Sequence, residues 1–566
     1  MTENNNIKPS QEKVWKKYLP EGAVDVDIAR CTAFDYLKAS NMNNLGGNAI
    51  HYYGTTIKYR ELFLNIVKYS DAFDAVGVKE GDLVSAIAVG VPEYLTSIYA
   101  LNRLGATTNT IDPRMDVDSI KRMVKQSGSR ITMILDVMFS KVEPILDELD
   151  QDLFLILPTT RSMPLLTRMV MNRRLKLNVP YGGKIVKWTE FLAKGKRDKH
   201  VEAAPYQGDR VVAITYTGGT TGFPKGVMLT HHNIANDGYW LGANMNYGPT
   251  DRLSLNVPLF HCFGCVLGVM ACINHGVTMV FCETFDPVKV MTSIETERCT
   301  SLYGVPTMFI AILEHKLFNK FDFSSLRTGI MAGSPCPIKA MEEVVDKMNM
   351  REITIVYGLT EASPGMTQTR YDEPSIEKKC TSVGKKLQGV DTVILDPETH
   401  EPCPPGTIGE FCCKGYNVMK GYYKMPEETA KVIDENGYLH SGDLGYMDEE
   451  GYFYVTGRIK DMIIRGGENI YPKEVEDFLY TCPGISDVQV IGVPSQKYGE
   501  QPGAFIIKKE NTDLTEQDVL DFCKGKIAWY KTPKYIAFVE EFPLNAAGKI
   551  MKYKLREIAH EMWPDA

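Results

Sequence analysis

The chain has 566 residues, 44% hydrophobic and 24% charged, which suits a folded protein and excludes a disordered one. Lysine plus arginine number 63 and aspartate plus glutamate 71, a net charge of −8, so a global basic field for nucleic acid is excluded. Thirteen cysteines, an odd number at irregular spacing, fit a reducing compartment better than a disulfide scaffold. At about 150 residues per domain the length predicts roughly three to four folding units.

The N-terminus lacks the apolar core of a signal peptide. No window reaches about 18 uninterrupted apolar residues, the length of a membrane span; the best run, Cys265 to Ile273, is half that. A soluble, cytoplasmic protein is expected. The first forty residues are polar and read as a partly ordered arm. From Tyr59 the pattern turns helical, with Leu62, Ile66, Tyr69 and Phe73 spaced four, three and four apart. The apolar run from Asp82 to Gly90 reads as a strand buried on both faces, hence a parallel sheet. Helical and strand-like segments then alternate to about Pro397, as layered α/β structure requires.

Between Thr159 and His200 lie 11 Lys/Arg and only two acids, Glu190 and Asp198. Two readings apply: a solvated surface insertion, or a patch that makes weak peripheral contact with anionic lipid. Further on, Gly442 to Tyr452 reads as tight turns between short strands. Beyond it, strands are expected at Asp487–Val493 and Ala504–Ile507, and Thr515 to Asp518 forms a capping box opening a helix from Val519 to Ile527. The expected fold is α/β: a large N-terminal domain of several subdomains with layered sheets, residues 1–459, and a small α+β C-terminal domain, residues 460–566.

The most informative stretch runs from Ala213 to Gly226. An apolar strand enters a loop, Thr217-Gly-Gly-Thr-Thr-Gly-Phe-Pro-Lys225, with three glycines, three threonines and one lysine. Glycines let backbone N–H groups turn towards one point, hydroxyls add neutral donors, and lysine adds charge. That set suits a polyphosphate. It is not a Walker A loop, because Lys225 is followed by Gly226 rather than serine or threonine.

This loop resembles the signature of the acyl-adenylate-forming superfamily, and further motifs of that family follow in order. They are Tyr357-Gly-Leu-Thr-Glu361, Ser441-Gly-Asp-Leu-Gly445, Gly457-Arg-Ile-Lys-Asp461 with Arg465-Gly-Gly-Glu-Asn-Ile-Tyr-Pro472, and Pro543-Leu-Asn-Ala-Ala-Gly-Lys549. The resemblance covers nearly all of the chain from about residue 45 and is strongest to medium-chain fatty acyl-CoA synthetases. One departure is Gly218, where the family commonly has serine.

The resemblance implies ATP, Mg²⁺ and coenzyme A as cofactors and co-substrates. Thr217, Gly218, Gly219, Thr220, Thr221, Gly222 and Lys225 would hold the β/γ-phosphates. Glu361 would ligate Mg²⁺, Thr360 would reach the α-phosphate, and Tyr357 would stack on adenine. Asp443 would accept the ribose hydroxyls with support from Arg458. Lys549 would neutralise charge at the α-phosphate during adenylation. The small domain would be mobile, pivoting at Lys460, with Gly466 and Gly467 leaving room for pantetheine. His261 matches a histidine that gates the acyl pocket, and it also fits a plain core residue. Cys262 and Cys265 have no partner motif that completes a zinc site, and Cys412-Cys413 have the wrong spacing, so the cysteines read as small core residues. The segments Cys265–Met270 and Gly329–Gly333 are expected to line an apolar acyl pocket.

The expected activity is therefore ATP-dependent ligation of a medium-chain apolar carboxylic acid to CoA through acyl-AMP. Two alternatives are an acyl-AMP ligase that loads a carrier protein and an inactive nucleotide- or lipid-binding relative. A nucleic-acid partner is not expected.

Overall fold

The computed structural model describes residues 28–196, 199–217, 224–334, 336–509, 511–544 and 550–564. Packing divides the chain into two compact units. The larger comprises residues 19–392 and 413–439, the smaller residues 393–412 and 440–566.

In the larger unit the helix Tyr59–Ala75 forms where the apolar period predicts it, with Leu62, Ile66, Tyr69 and Phe73 all buried. The strand Leu83–Ile87 lies between Thr107–Ile111 and Ile131–Leu135, parallel to both, which accounts for its continuous apolar character. These three belong to an eight-stranded sheet that ends in the antiparallel strands Val211–Thr217, Lys225–Thr230 and Gly421–Tyr422. A second, nine-stranded sheet has a parallel centre running from Glu352–Gly358 through Thr328–Ala332, Ser301–Gly304, Arg252–Leu255 and Thr278–Phe281 to Asn48–Tyr52.

Two readings change in the larger unit. Part of the expected N-terminal arm is the helix Ala33–Asn41, capped by the Thr32 hydroxyl, which accepts the Asp35 N–H at 3.0 Å, and anchored by fully buried Leu37. The basic stretch divides into an exposed helix, Leu165–Leu175, with no buried residue, and an integral part. In the latter, Ile185–Lys187 is an edge strand, and the helix Trp188–Lys194 buries Trp188, Phe191 and Leu192.

The smaller unit is built on the long antiparallel pair Ile485–Ser495 and Gly499–Lys508, with Tyr535–Phe538 parallel to the second strand. Val488 and Val490 pack on one face with Val475, Leu479 and Val519 from the helices Pro472–Leu479 and Glu516–Cys523. Ile491 and Val493 point to the other face, against Leu555 and Ala559 of the helix Lys552–Met562. The predicted capping box is present, but its helix stops at Cys523, four residues before Ile527, with Gly525 at φ +72° just beyond. A four-stranded sheet, in the order Val390–Leu395, Gly409–Gly415, Leu439–Met447, Phe453–Arg458, belongs largely to this unit. Among the described residues no helix is long and apolar enough to cross a membrane.

Candidate active site

The strands Val211–Thr217 and Lys225–Thr230, on either side of the glycine- and threonine-rich loop, pair antiparallel with Thr217 in register with Lys225. Gly218, Gly219, Thr220, Thr221 and Gly222 lie outside the described residues. The strand pairing explains why glycine follows the lysine: a Cβ at Gly226 would stand 2.9 Å from Ile214 Cγ2. Lys225 Nζ bonds Glu428 Oε2 at 2.5 Å and lies 4.9 Å from the ring centre of Tyr422. Lys225 and Lys431 together hold the Glu428 carboxyl down to about 2, so it is ionised at neutral pH.

Tyr422 connects this cation to the second motif. Its hydroxyl donates to Glu361 Oε1 at 2.7 Å, and the Glu361 carbonyl accepts the Met419 N–H at 2.8 Å. Burial, and then the adjacent Glu361 carboxylate, push the Tyr422 phenol up, which keeps it a donor. Glu361 and Thr360 sit in the short turn Thr360–Ala362, both buried. Gly358 permits the chain to fold back here, since a Cβ would fall 1.7 Å from the Pro364 carbonyl oxygen. Tyr357 is half-buried on the preceding strand, in register with Thr367. Thus Lys225, Tyr422, Glu361 and Thr360 gather in the larger unit. Neither Tyr422 nor Glu428 belongs to one of the sequence motifs.

His261 stands at the start of the π-helix Phe263–Met270, where its Nδ1 accepts the Phe263 N–H at 3.2 Å. An acceptor Nδ1 places the proton of a neutral ring on Nε2. Cys262 reaches Thr360 Oγ1 at 3.5 Å. An apolar cavity beside this segment is lined by Leu95, Tyr99, Thr110, Leu259, Cys265 and Val269, among others. Cys265, Val266, Val269 and Met270 line this cavity; Gly329–Gly333 does not, and Met331 packs into the core with Met341 and Ile353.

In the smaller unit Asp443 and Arg458 face each other across antiparallel strands, with Arg458 Nε 2.9 Å from Asp443 Oδ1. The Asp443 N–H donates to Ser441 Oγ at 3.0 Å. Lys460 is exposed in the turn Ile459–Asp461, and the neighbouring Asp461 pairs with Arg556 at 2.5 Å. Gly466 and Gly467, at φ +61° and +93°, make the two-residue turn between Arg465 and Glu468, a conformation that favours glycine at both positions. Lys549 lies outside the described residues, between Leu544 and Ile550, which form an antiparallel bridge.

The glutamate fits a hard cation. A single carboxylate, with phosphate oxygens completing the shell, is a donor set that Mg²⁺ accepts.

The description "AMP-binding enzyme" applies to the family model matching residues 39–423, and "AMP-binding enzyme C-terminal domain" to the one matching residues 474–549. The chain belongs to the AMP-binding enzyme family. It is similar to YngI of Bacillus subtilis (strain 168), at 43% identity over 86% of this chain and 89% of that protein. It is also similar to the mitochondrial medium-chain acyl-CoA ligase ACSF2 of Macaca fascicularis, at 33% identity over 88% and 82%. ATP-bound MatB from Rhodopseudomonas palustris superposes with a TM-score of 0.82 at 28% identity, over 94% of this chain and all of that one. The o-succinylbenzoate CoA synthetase MenE of Bacillus subtilis, in complex with its acyl-adenylate, gives 0.74 at 26%, over 92% and 97%. The mixed α/β fold with a large N-terminal and a small C-terminal domain is that of the adenylate-forming enzymes.

Proposed function

We propose that this chain is an ATP-dependent acid–CoA ligase for medium-chain apolar acids. The carboxylate oxygen attacks the α-phosphorus of ATP, and the bond to the bridging oxygen breaks to release pyrophosphate. The CoA sulfur then attacks the acyl carbonyl, its proton passing to water, and AMP departs with the bonding pair. Both partners of the first step are anions, so positioning and charge neutralisation carry it. The grouping of Lys225 and Glu361 around Tyr422 is the observation that carries this reading. Lys225, with Thr217, holds the outer phosphates. Thr360 reaches the α-phosphate, Tyr357 takes adenine, and Asp443 with Arg458 takes ribose. Mg²⁺, held by Glu361, supplies further charge neutralisation when bound.

Pyrophosphate release across a panel of carboxylic acids, with and without CoA, tests the reading. Each buried CH₂ adds about 0.8 kcal/mol, roughly fourfold, so efficiency should climb with chain length and then level off. AMP turnover should require CoA. Fastest turnover with acetate, or thioester formed only on a carrier protein, overturns it.

We also infer a peripheral lipid contact within residues 159–200. Its support is the helix Leu165–Leu175, which exposes Leu165, Leu166, Met169 and Val170 beside Arg173 and Arg174.

A further inference from the structure

Three side chains with no part in the proposed reaction converge in the smaller unit. Glu410 and Cys412 are two residues apart on the strand Gly409–Gly415 and so share one face. His440 belongs to the adjacent strand Leu439–Met447. A carboxylate oxygen, a thiol sulfur and an imidazole nitrogen from the three lie within 4.8 Å of one another. His440 Nδ1 is 2.8 Å from Glu410 Oε2 and 3.4 Å from Cys412 Sγ. Cys412 is wholly buried and Glu410 nearly so, while the His440 side chain keeps 13% of its surface open, enough of an edge to admit an ion.

Both partners approach the same ring nitrogen. A nucleophilic relay would need thiol and carboxylate on opposite nitrogens, so this is not a cysteine-protease arrangement. The donor set of one sulfur, one nitrogen and one oxygen is borderline-soft, and it lacks the six or more oxygens that Ca²⁺ takes. Tetrahedral zinc bonds of about 2.0–2.3 Å set ligand atoms roughly 3.3–3.6 Å apart. The cysteine–histidine separation already matches, and the histidine–glutamate pair must open by about half an ångström. The geometry points to a binding site for a zinc-class divalent ion at Glu410, Cys412 and His440. Water completes the shell, or His400, whose ring centre lies 5.1 Å from that of His440. On binding, the thiol proton and any proton on His440 Nδ1 leave to water, so a thiolate, a neutral nitrogen and a carboxylate face the ion.

The site has a route to activity. Glu410 Oε1 accepts the Gly442 N–H at 2.8 Å, and Gly442 immediately precedes Asp443. An ion that draws in Glu410 pulls on the strand segment carrying Asp443, so occupancy inhibits the ligase; this consequence alone rests on the proposed function.

The experiment is titration of the full-length protein with Zn²⁺ by calorimetry and with Cd²⁺ by ultraviolet thiolate absorption. Wild type should take up one tight equivalent with a thiolate band, and its melting temperature should rise with the metal. Cys412→Ser should lose the band and weaken binding at least tenfold, and Glu410→Gln should weaken it about tenfold with the band kept. Zn²⁺ should inhibit pyrophosphate release by wild type but not by Cys412→Ser. Melting curves without metal establish that each variant is folded. If Cys412→Ser keeps both band and affinity, the ion sits on another of the thirteen cysteines and the site is overturned. Absence of binding by folded wild type overturns it equally. Because binding is read without catalysis, failure of the ligase reading leaves this test intact.

Discussion

Lys549 is assigned a role only while charge develops on the α-phosphate. Lys549→Ala should slow acyl-AMP formation by about 10²–10³-fold, the cost of one oriented charge-stabilising group, yet convert supplied acyl-AMP to acyl-CoA at a near-normal rate. Glu93 presents a different case. Burial pushes its carboxyl up to about 7; Ser162 Oγ donates to Oε1 at 2.7 Å, and Oε2 has no hydrogen-bond partner. The folded state keeps this proton to about pH 7 while the unfolded chain releases it near 4.5. Stability is therefore fullest below that lower value and falls as pH rises to the upper one, by about 3 kcal/mol. Glu93→Gln should flatten this loss and raise the melting temperature at pH 8; an unchanged pH profile of thermal unfolding would refute it. Lys225, Glu361 and Asp443 were legible because each sits in a short linear motif. Tyr422, Glu428 and the Glu410–Cys412–His440 group were not, since strand pairing joins residues that the sequence keeps far apart.

Elements whose apolar period matches their burial were the readable ones, as Tyr59–Ala75 and Leu83–Ile87 show. The helix Ala33–Asn41 escaped because only Ala33, Phe34 and Leu37 supply its apolar face, and the surrounding polar residues mask so short a stripe. Thr32 three residues before Asp35 was its available signal. Leu165–Leu175 escaped for the opposite reason. Its inner side carries half-buried Met171 and Leu175, while Leu165, Leu166, Met169 and Val170 face out at 62%, 77%, 51% and 53% exposure, so no single stripe emerges. If that outer face meets lipid, binding to anionic vesicles should weaken with salt. Replacing Arg168, Arg173, Arg174 and Lys176 with Gln should then cost roughly 1 kcal/mol per charge. No vesicle binding at low salt returns the helix to plain solvent-facing structure.

Across the whole molecule, the proposed pivot at Lys460 separates the two half-reactions. Lys460→Pro fixes φ near −65° and should block one arrangement of the small domain, so acyl-AMP still forms while its transfer to CoA collapses. That failure is opposite in step to the Lys549 defect, and equal loss of both steps in both variants would remove support for domain alternation. Turnover must also end, with products leaving as readily as substrates arrive. Here the ion pair between Lys225 and Glu428 acquires a meaning. Both side chains are partly open to solvent, so water screens their attraction and leaves it weak. That is too weak to keep out a nucleotide held at many other points. On the proposed function, pyrophosphate severed from the adenylate would have fewer holds, and each time it loosened the carboxylate would be at hand to reclaim the lysine. Glu428 would then be a resident competitor that keeps the phosphate cradle from clinging to its own leaving group.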